Sequence, residues 1–213
     1  MRHRGSAVVR SWLVRVLFLA LLLVFIGVDL RRNRDWQSDY TIWAVTAIQQ
    51  PDSPLARVNL GALLQADGKY PAAVKEYEKA IEIFEGYNLS FSGSADEGRR
   101  PSRMTRGLYA SAFSNLGGAY MKLRRYEDAV PKLKTALTID SSLYGALCNL
   151  GTAYINLGRL DEAIEALVRA IAINDRYPDA HIALAHAYEK KGMYTEAQRE
   201  REMATLMSKS RAK

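Results

Sequence analysis

Large and small apolar residues return along most of this chain at one fixed interval, with polar residues between them. The run Cys148-Asn149-Leu150-Gly151-Thr152-Ala153-Tyr154 has an upstream counterpart, Ser114-Asn115-Leu116-Gly117-Gly118-Ala119-Tyr120. A looser one lies downstream, Ile182-Ala183-Leu184-Ala185-His186-Ala187-Tyr188. Gly117, Gly151 and Ala185 are each 34 residues apart. Such a period marks stacked helical units, none of which buries its apolar face alone. A further copy, Val58-Asn59-Leu60-Gly61, places Gly61 56 residues before Gly117, so an insertion of 22 residues separates the first unit from the second. A different pattern stands near the start, where Val16 to Val28 is apolar throughout and has no polar face.

With each unit numbered 1 to 34, unit three has Leu147, Leu150, Tyr154 and Leu167 at 4, 7, 11 and 24, and Gly151, Ala163 and Ala170 at 8, 20 and 27. Unit two supplies Phe113, Leu116, Tyr120 and Leu133, with Gly117, Ala129 and Ala136. Unit one has Leu60, Gly61, Leu64, Ala73, Tyr77 and Ala80, but Arg57 at position 4. Unit four has Leu184, Ala185, Tyr188, Ala197 and Ala204, but His181 at 4 and Arg201 at 24. The small residues let two antiparallel helices approach closely, and the bulky ones fill the space between successive pairs.

This arrangement resembles the tetratricopeptide repeat family. The resemblance implies an all-α fold, a right-handed α-solenoid of helix pairs, with repeats over 54–87, 110–143, 144–177 and 178–211. Residues 35–52 read as a capping half repeat, with Trp36, Trp43 and Pro51 at 17, 24 and 32 of the same frame. Residues 88–109, rich in Ser, Gly and Arg, are expected to form an exposed loop. The last helix, Thr195 to Ser208, carries Arg199, Glu200, Arg201 and Glu202 and suits the solvated cap that a terminal repeat needs.

Charge sharpens the reading of the N-terminus. The formal net charge is +7, and residues 1–34 alone carry seven arginines against one aspartate. The repeats are close to neutral and have no basic stripe, which argues against nucleic-acid binding. After a basic flank at 1–10, residues 11–30 are broken only by Arg15 and Asp29 near the ends, where an arginine can snorkel to the interface. No small-x-small cleavage site follows. These residues are expected to form a single transmembrane anchor ahead of the solenoid. Arginine placement leans towards an N-terminus inside, which would put the repeats on the periplasmic or lumenal side. The stretch Arg32-Asn33-Arg34-Asp35-Trp36 that follows resembles the junction between the last membrane helix and the first repeats of transmembrane-and-tetratricopeptide protein O-mannosyltransferases and their bacterial relatives. Those enzymes carry many membrane helices and catalytic acidic loops that have no counterpart here.

No catalytic constellation is apparent, and the chain is not expected to be an enzyme. His181 and His186 are five residues apart, a spacing that does not bring two imidazoles to one helix face for zinc. Glu127-Asp128 and Asp161-Glu162 begin second helices, where the helix dipole accounts for them. No cofactor, metal or small-molecule substrate is expected. What the resemblance implies instead is a concave groove lined by the first helix of each repeat. The candidate groove residues are Asn59, Ala62, Ser111, Ser114, Asn115, Gly118, Lys122, Cys148, Asn149, Thr152, Asn156 and His186, with Val58, Gln65, Asp179 and Ile182 on the same helices. The cationic positions that grip a C-terminal carboxylate in chaperone-binding repeats are Val58, Ser111, Asn115 and Gly145 here, which disfavours that mode. Asn59, Asn115 and Asn149 recur at position 6, and each amide can both donate to and accept from a peptide backbone. This is similar to the asparagine ladder of O-linked N-acetylglucosamine transferases. The function expected is a membrane-anchored scaffold or adaptor that holds a segment of a membrane-associated or exported protein partner. The alternative is a substrate-recruiting subunit of a membrane glycosyltransferase.

Overall fold

A computed structural model describes residues 39–87 and 101–211. Among them nine helices follow one another with no strand. They are α1 (Asp39–Gln49), α2 (Pro54–Ala66), α3 (Tyr70–Gly86), α4 (Arg103–Lys122), α5 (Tyr126–Ile139), α6 (Tyr144–Asn156), α7 (Leu160–Ile173), α8 (Pro178–Lys190) and α9 (Tyr194–Arg211). Each packs on its neighbours in sequence, and α2, α4, α6 and α8 also touch one another in succession. That pattern is a solenoid of helical hairpins, with the first helices forming one wall. No helix among the described residues is long and apolar enough to cross a membrane. The expected anchor at 11–30 and the junction through Trp36 lie outside the described residues.

Small residues set the spacing within each hairpin. A methyl group on Gly61 would lie 2.6 Å from Tyr77 Cε1, one on Gly117 2.6 Å from Leu133 Cγ, and one on Gly151 2.5 Å from Leu167 Cγ. In these three repeats position 8 therefore receives the position 24 side chain directly, and a Cβ there would push the two helices apart; repeat four, with Arg201 at 24, holds Ala185 instead. Ala73, Ala129 and Ala163 at position 20 are fully buried, as are Ala80, Ala136 and Ala170 at position 27. Around these contacts runs one continuous apolar core from Ala47 to Ala187, with Trp43 of α1 packed against its near end.

The turn between the two helices of each repeat needs a left-handed residue. Gly68, Gly158 and Gly192 occupy it with φ between 74° and 82°. In repeat two the same place is held by Arg124, at φ 59°. Between repeats, Asp140 accepts from the Ser142 amide at 3.0 Å and its hydroxyl at 2.6 Å, and Asn174 accepts from the Arg176 amide at 3.0 Å. These side chains close the connections from α5 to α6 and from α7 to α8.

Two sequence expectations change. The segment expected as loop over 88–109 turns helical at Arg103, two turns before the repeat frame begins. Ser102 caps this start by accepting from the Thr105 amide at 3.1 Å. Tyr109 then lies against Phe84, centroids 4.9 Å apart, and against Phe113 at 5.0 Å. This aromatic cluster joins α3 to α4, where the other repeats use an Asx turn. Second, the basic residues at apolar positions are paired. Arg57 meets Glu76 at 2.8 Å, His181 Nδ1 meets Glu200 at 2.6 Å, and Arg201 bonds Glu189.

Candidate functional site

Because α2, α4, α6 and α8 stand side by side, a residue at a given repeat position recurs along one wall. Asn59, Ser111, Ser114, Asn115, Cys148, Asn149 and Thr152 are half-buried on it, and Ala62, Lys122, Asn156 and His186 are exposed. Val58 departs from the expectation. It is 5% exposed and belongs to the core, because its β-branched side chain turns into the packing between α2 and its neighbours. His181 is buried in the core and His186 faces outward.

Three first helices meet at Gly118. A methyl group there would sit 3.5 Å from Asn149 Nδ2 on α6 and 3.9 Å from Gln65 Nε2 on α2. Gln65 Oε1 already accepts from Tyr77 Oη at 3.4 Å, which turns the Gln65 amino group towards Gly118. Gly118 is itself buried, and two amide donors bound the place of its absent side chain. No hydrogen bond to another described residue engages the side chains of Asn59, Asn115 or Asn149. These amides are available to the backbone of a bound segment.

Further along, α6 and α8 enclose a socket of about 340 Å³ lined by Thr152, Ile155, Asn156, Asp179, Ile182, Ala183 and His186. Ile155 is its buried floor, and Ile182 stands 54% exposed at its wall. Thr152 donates its hydroxyl proton to Cys148 O at 2.8 Å, and Asn156 Nδ2 donates to Thr152 O at 2.8 Å. Burial pushes the Cys148 thiol up, the neighbouring Tyr144 hydroxyl offsets part of this, and the Asp179 carboxylate adds to it. Burial also raises the Tyr144 phenol above its usual range; its ring packs on Tyr177 with centroids 5.5 Å apart.

A second cavity, about 420 Å³, opens on the opposite side between α5 and α7, with Leu150, Tyr154 and Ala166 inside and Lys134, Glu162, Glu165 and Arg169 around it. Sequence reading missed it. The available signal was Ala166, a small residue where the other repeats carry Glu76, Lys132 or Glu200. Among the described residues no group of His, Cys, Asp and Glu side chains could hold a metal ion.

Antiparallel hairpins in a fixed 34-residue frame, stacked so that their first helices form a wall, define a helical-repeat solenoid. Tetratricopeptide repeat models match residues 55–85 and 112–143, and a further TPR repeat model matches residues 151–192. The chain is a tetratricopeptide repeat protein. No curated protein matches its sequence at a significant level. Among solved structures it is similar to the crystal structure of MamA, at 21% identity and a TM-score of 0.65, over 88% of this chain and 96% of that one. A second MamA crystal structure matches at 21% identity and a TM-score of 0.63, over 90% and 93%. MamA 41-end from Desulfovibrio magneticus RS-1 matches at 18% and 0.64, over 88% and 94%. At these identities the likeness is one of fold.

Proposed function

We propose that this chain is a membrane-anchored interaction scaffold whose concave wall holds an extended segment of a protein partner. The observation that carries the reading is the arrangement around Gly118, where amide donors from α2 and α6 bound the place of its absent side chain. An extended peptide needs its carbonyls and amides satisfied once it leaves water, and unengaged amides at a repeating position supply that along its length. The apolar stretch at 11–30 supports anchoring, with the N-terminus inside and the repeats on the periplasmic or lumenal side. Anchoring would keep the encounter at the bilayer and raise the effective concentration of a membrane-associated or exported partner. The glycosyltransferase-subunit alternative rests only on the sequence between Arg32 and Asp52.

Crosslinking in intact cells, followed by capture of the full-length protein and mass spectrometry, tests this. A recurring partner whose capture drops when Asn115 and Asn149 are both changed to Ala, with helicity unchanged, is the expected result. Undiminished capture by that double variant would remove the asparagines from the site. A multi-spanning glycosyltransferase as the main partner would favour the alternative.

A further inference from the structure

Two places along the groove differ in hydrogen-bonding chemistry. At Gly118 the groups bounding the place of the absent side chain are donors, Gln65 Nε2 and Asn149 Nδ2. In the socket between α6 and α8 the balance shifts towards acceptors, although one Asn156 N–H and the His186 ring N–H remain as donors. The Thr152 hydroxyl proton is committed to Cys148 O, and Asn156 Nδ2 is bonded to Thr152 O. What these residues leave open is the Thr152 oxygen lone pairs, the Asn156 carbonyl and the second N–H of the Asn156 amide. Asp179 adds an exposed carboxylate that forms no ion pair with another described residue. The lining contains no Lys or Arg. Lys122 on α4 and Lys190 on α8 sit in the last turns of their helices, whereas Asp179 is in the first turn of α8. Arg103 and Arg106 open α4, and Arg176 lies three residues before Asp179 without an ion pair to another described residue. Eleven residues of helix separate Asp179 from Lys190, a rise of roughly 16 Å, beyond a Debye length in ordinary salt. Glu189 is bonded to Arg201. The remaining titratable group on α8 in the socket is His186.

Alongside this acceptor rim the socket offers apolar surface. Ile182 is a large aliphatic side chain 54% exposed, over a floor made by buried Ile155. From Asp179 to His186 the wall extends roughly 10 Å, the reach of about three residues of extended chain. We propose that this socket selects its partner segment by an aliphatic side chain lying within three residues of a lysine or arginine, the aliphatic group against Ile155 and Ile182 and the cation on Asp179 and the Asn156 carbonyl. The inference rests on the groove reading above and adds the partner's chemistry. It also gives the reason an acidic or carboxylate-terminal segment is a poor ligand: it would place a negative charge among unpaired acceptors.

The test uses the full-length protein in nanodiscs of zwitterionic lipid. The probes are three fluorescein-labelled decapeptides alternating leucine with lysine, with glutamine or with glutamate, read by anisotropy at 50 and 300 mM salt. The lysine peptide should bind at least tenfold tighter than the other two, and its advantage should shrink at high salt. Because the repeats are close to neutral, non-specific attraction gives the lysine peptide no advantage. Asp179→Asn should weaken the lysine peptide severalfold and leave the glutamine peptide unchanged. Asp179→Lys should turn the preference towards glutamate, and Ile182→Gln should weaken the lysine and glutamine peptides alike. Equal or stronger binding of the glutamate peptide, or no effect of Asp179→Asn, overturns the proposal. Gly118→Trp, with helicity and melting temperature checked to be unchanged, separates the two readings, since it places bulk between Gln65 and Asn149 while its Cβ meets only ordinary contacts. If it abolishes binding and Asp179→Asn does nothing, the groove stands and the socket chemistry falls. If it changes nothing, or no peptide binds, both fall.

Discussion

In repeats two and three, position 4 is Phe113 or Leu147, and the side chain is buried in the apolar core. In repeats one and four the same position is Arg57 or His181, and each is paired with a glutamate at position 23, Glu76 or Glu200. The inner repeats share a second device that the ends lack. Arg125 and Arg159 stack over Tyr120 and Tyr154, with the guanidinium carbon 4.5 Å from each ring centroid, and each also bonds an acid three residues on, Asp128 or Glu162. Repeat one has Lys69 over Tyr40 of the capping helix instead, at 5.6 Å, and repeat four has Met193 at that place. An inner repeat is covered by a helix pair on both sides, so apolar filling at position 4 has apolar neighbours to meet. An end repeat has less cover, and a half-buried, hydrogen-bonded polar pair fixes the hairpin there without leaving an apolar surface for a foreign chain. The chain thus concentrates its cohesion in the middle and its specificity against unwanted extension at the ends.

The largest effect should come from breaking the middle. Leu147 is fully buried, and Leu147→Ala should lower unfolding free energy by about 2–5 kcal/mol in urea titrations followed by circular dichroism. Replacing the matching pair at the end, His181→Leu together with Glu200→Leu, should change it by less than about 1 kcal/mol or raise it, because two desolvated polar groups give way to packing. A loss at the end as large as that in the middle would defeat the comparison.

Neighbouring glycines of α4 sharpen it within one helix. Gly117→Ala places a methyl group 2.6 Å from Leu133 Cγ and should cost about 1–3 kcal/mol. Gly118→Ala meets nothing closer than 3.5 Å and should be neutral or stabilising by up to about 1 kcal/mol, since alanine favours the helix. Equal thermal shifts for the two variants would show that the wall at Gly118 is as tightly packed as the hairpin interior.

A pH scan extends the comparison to the buried tyrosines of repeats one and two. Tyr120, buried and donating to Glu78 Oε1 at 2.8 Å, has its phenol pushed up to about 12, and burial raises Tyr77 and Tyr109 as well. An unfolded tyrosine ionises near pH 10. The folded state therefore resists deprotonation, its stability is full below about pH 10, and it declines as pH rises through the folded value. Tyrosinate absorbance at 295 nm should lag behind a free-tyrosine titration and then rise together with loss of helicity. Titration of all tyrosines at the free value with helicity intact would contradict the burial of these rings.

How much of this was legible beforehand follows from which contacts lie within one 34-residue frame. Gly61, Gly117 and Gly151 at position 8 announced a close helix approach, and Tyr77, Leu133 and Leu167 at 24 are the side chains that use it. The groove wall followed from the same frame, since neighbouring first helices repeat its positions. What escaped depended on partners the frame does not name. Arg57 and His181 looked like misfits because their glutamates lie 19 residues on, on a helix that comes near only when the hairpin closes. Val58 looked like a groove residue because its position number, not its surroundings, was visible. The helix beginning at Arg103 was hidden by a stretch rich in Ser, Gly and Arg, and what extends it is tertiary, the packing of Tyr109 on Phe84.

The smallest expected effect concerns Arg124, which stands in the left-handed region at φ 59° where the other three repeats have glycine. A side chain in that conformation costs about 1–2 kcal/mol through its Cβ. Arg124→Gly removes that strain but loosens the unfolded chain, which returns about 0.5–1 kcal/mol to the unfolded state. The difference should leave the variant more stable by about 0.5 kcal/mol, seen as a small rise in melting temperature. The reverse change, Gly158→Arg in repeat three, meets open space around its Cβ and should lower stability by a similar amount. The pair distinguishes strain from contact. Arg124 is exposed and makes no ion pair with a described residue, so nothing in the folded array compensates for its conformation. A fall in stability on Arg124→Gly would mean that the arginine makes an interaction in the full-length chain strong enough to outweigh its strained backbone, and repeat two would then be the unit whose turn is held by something beyond the hairpin itself.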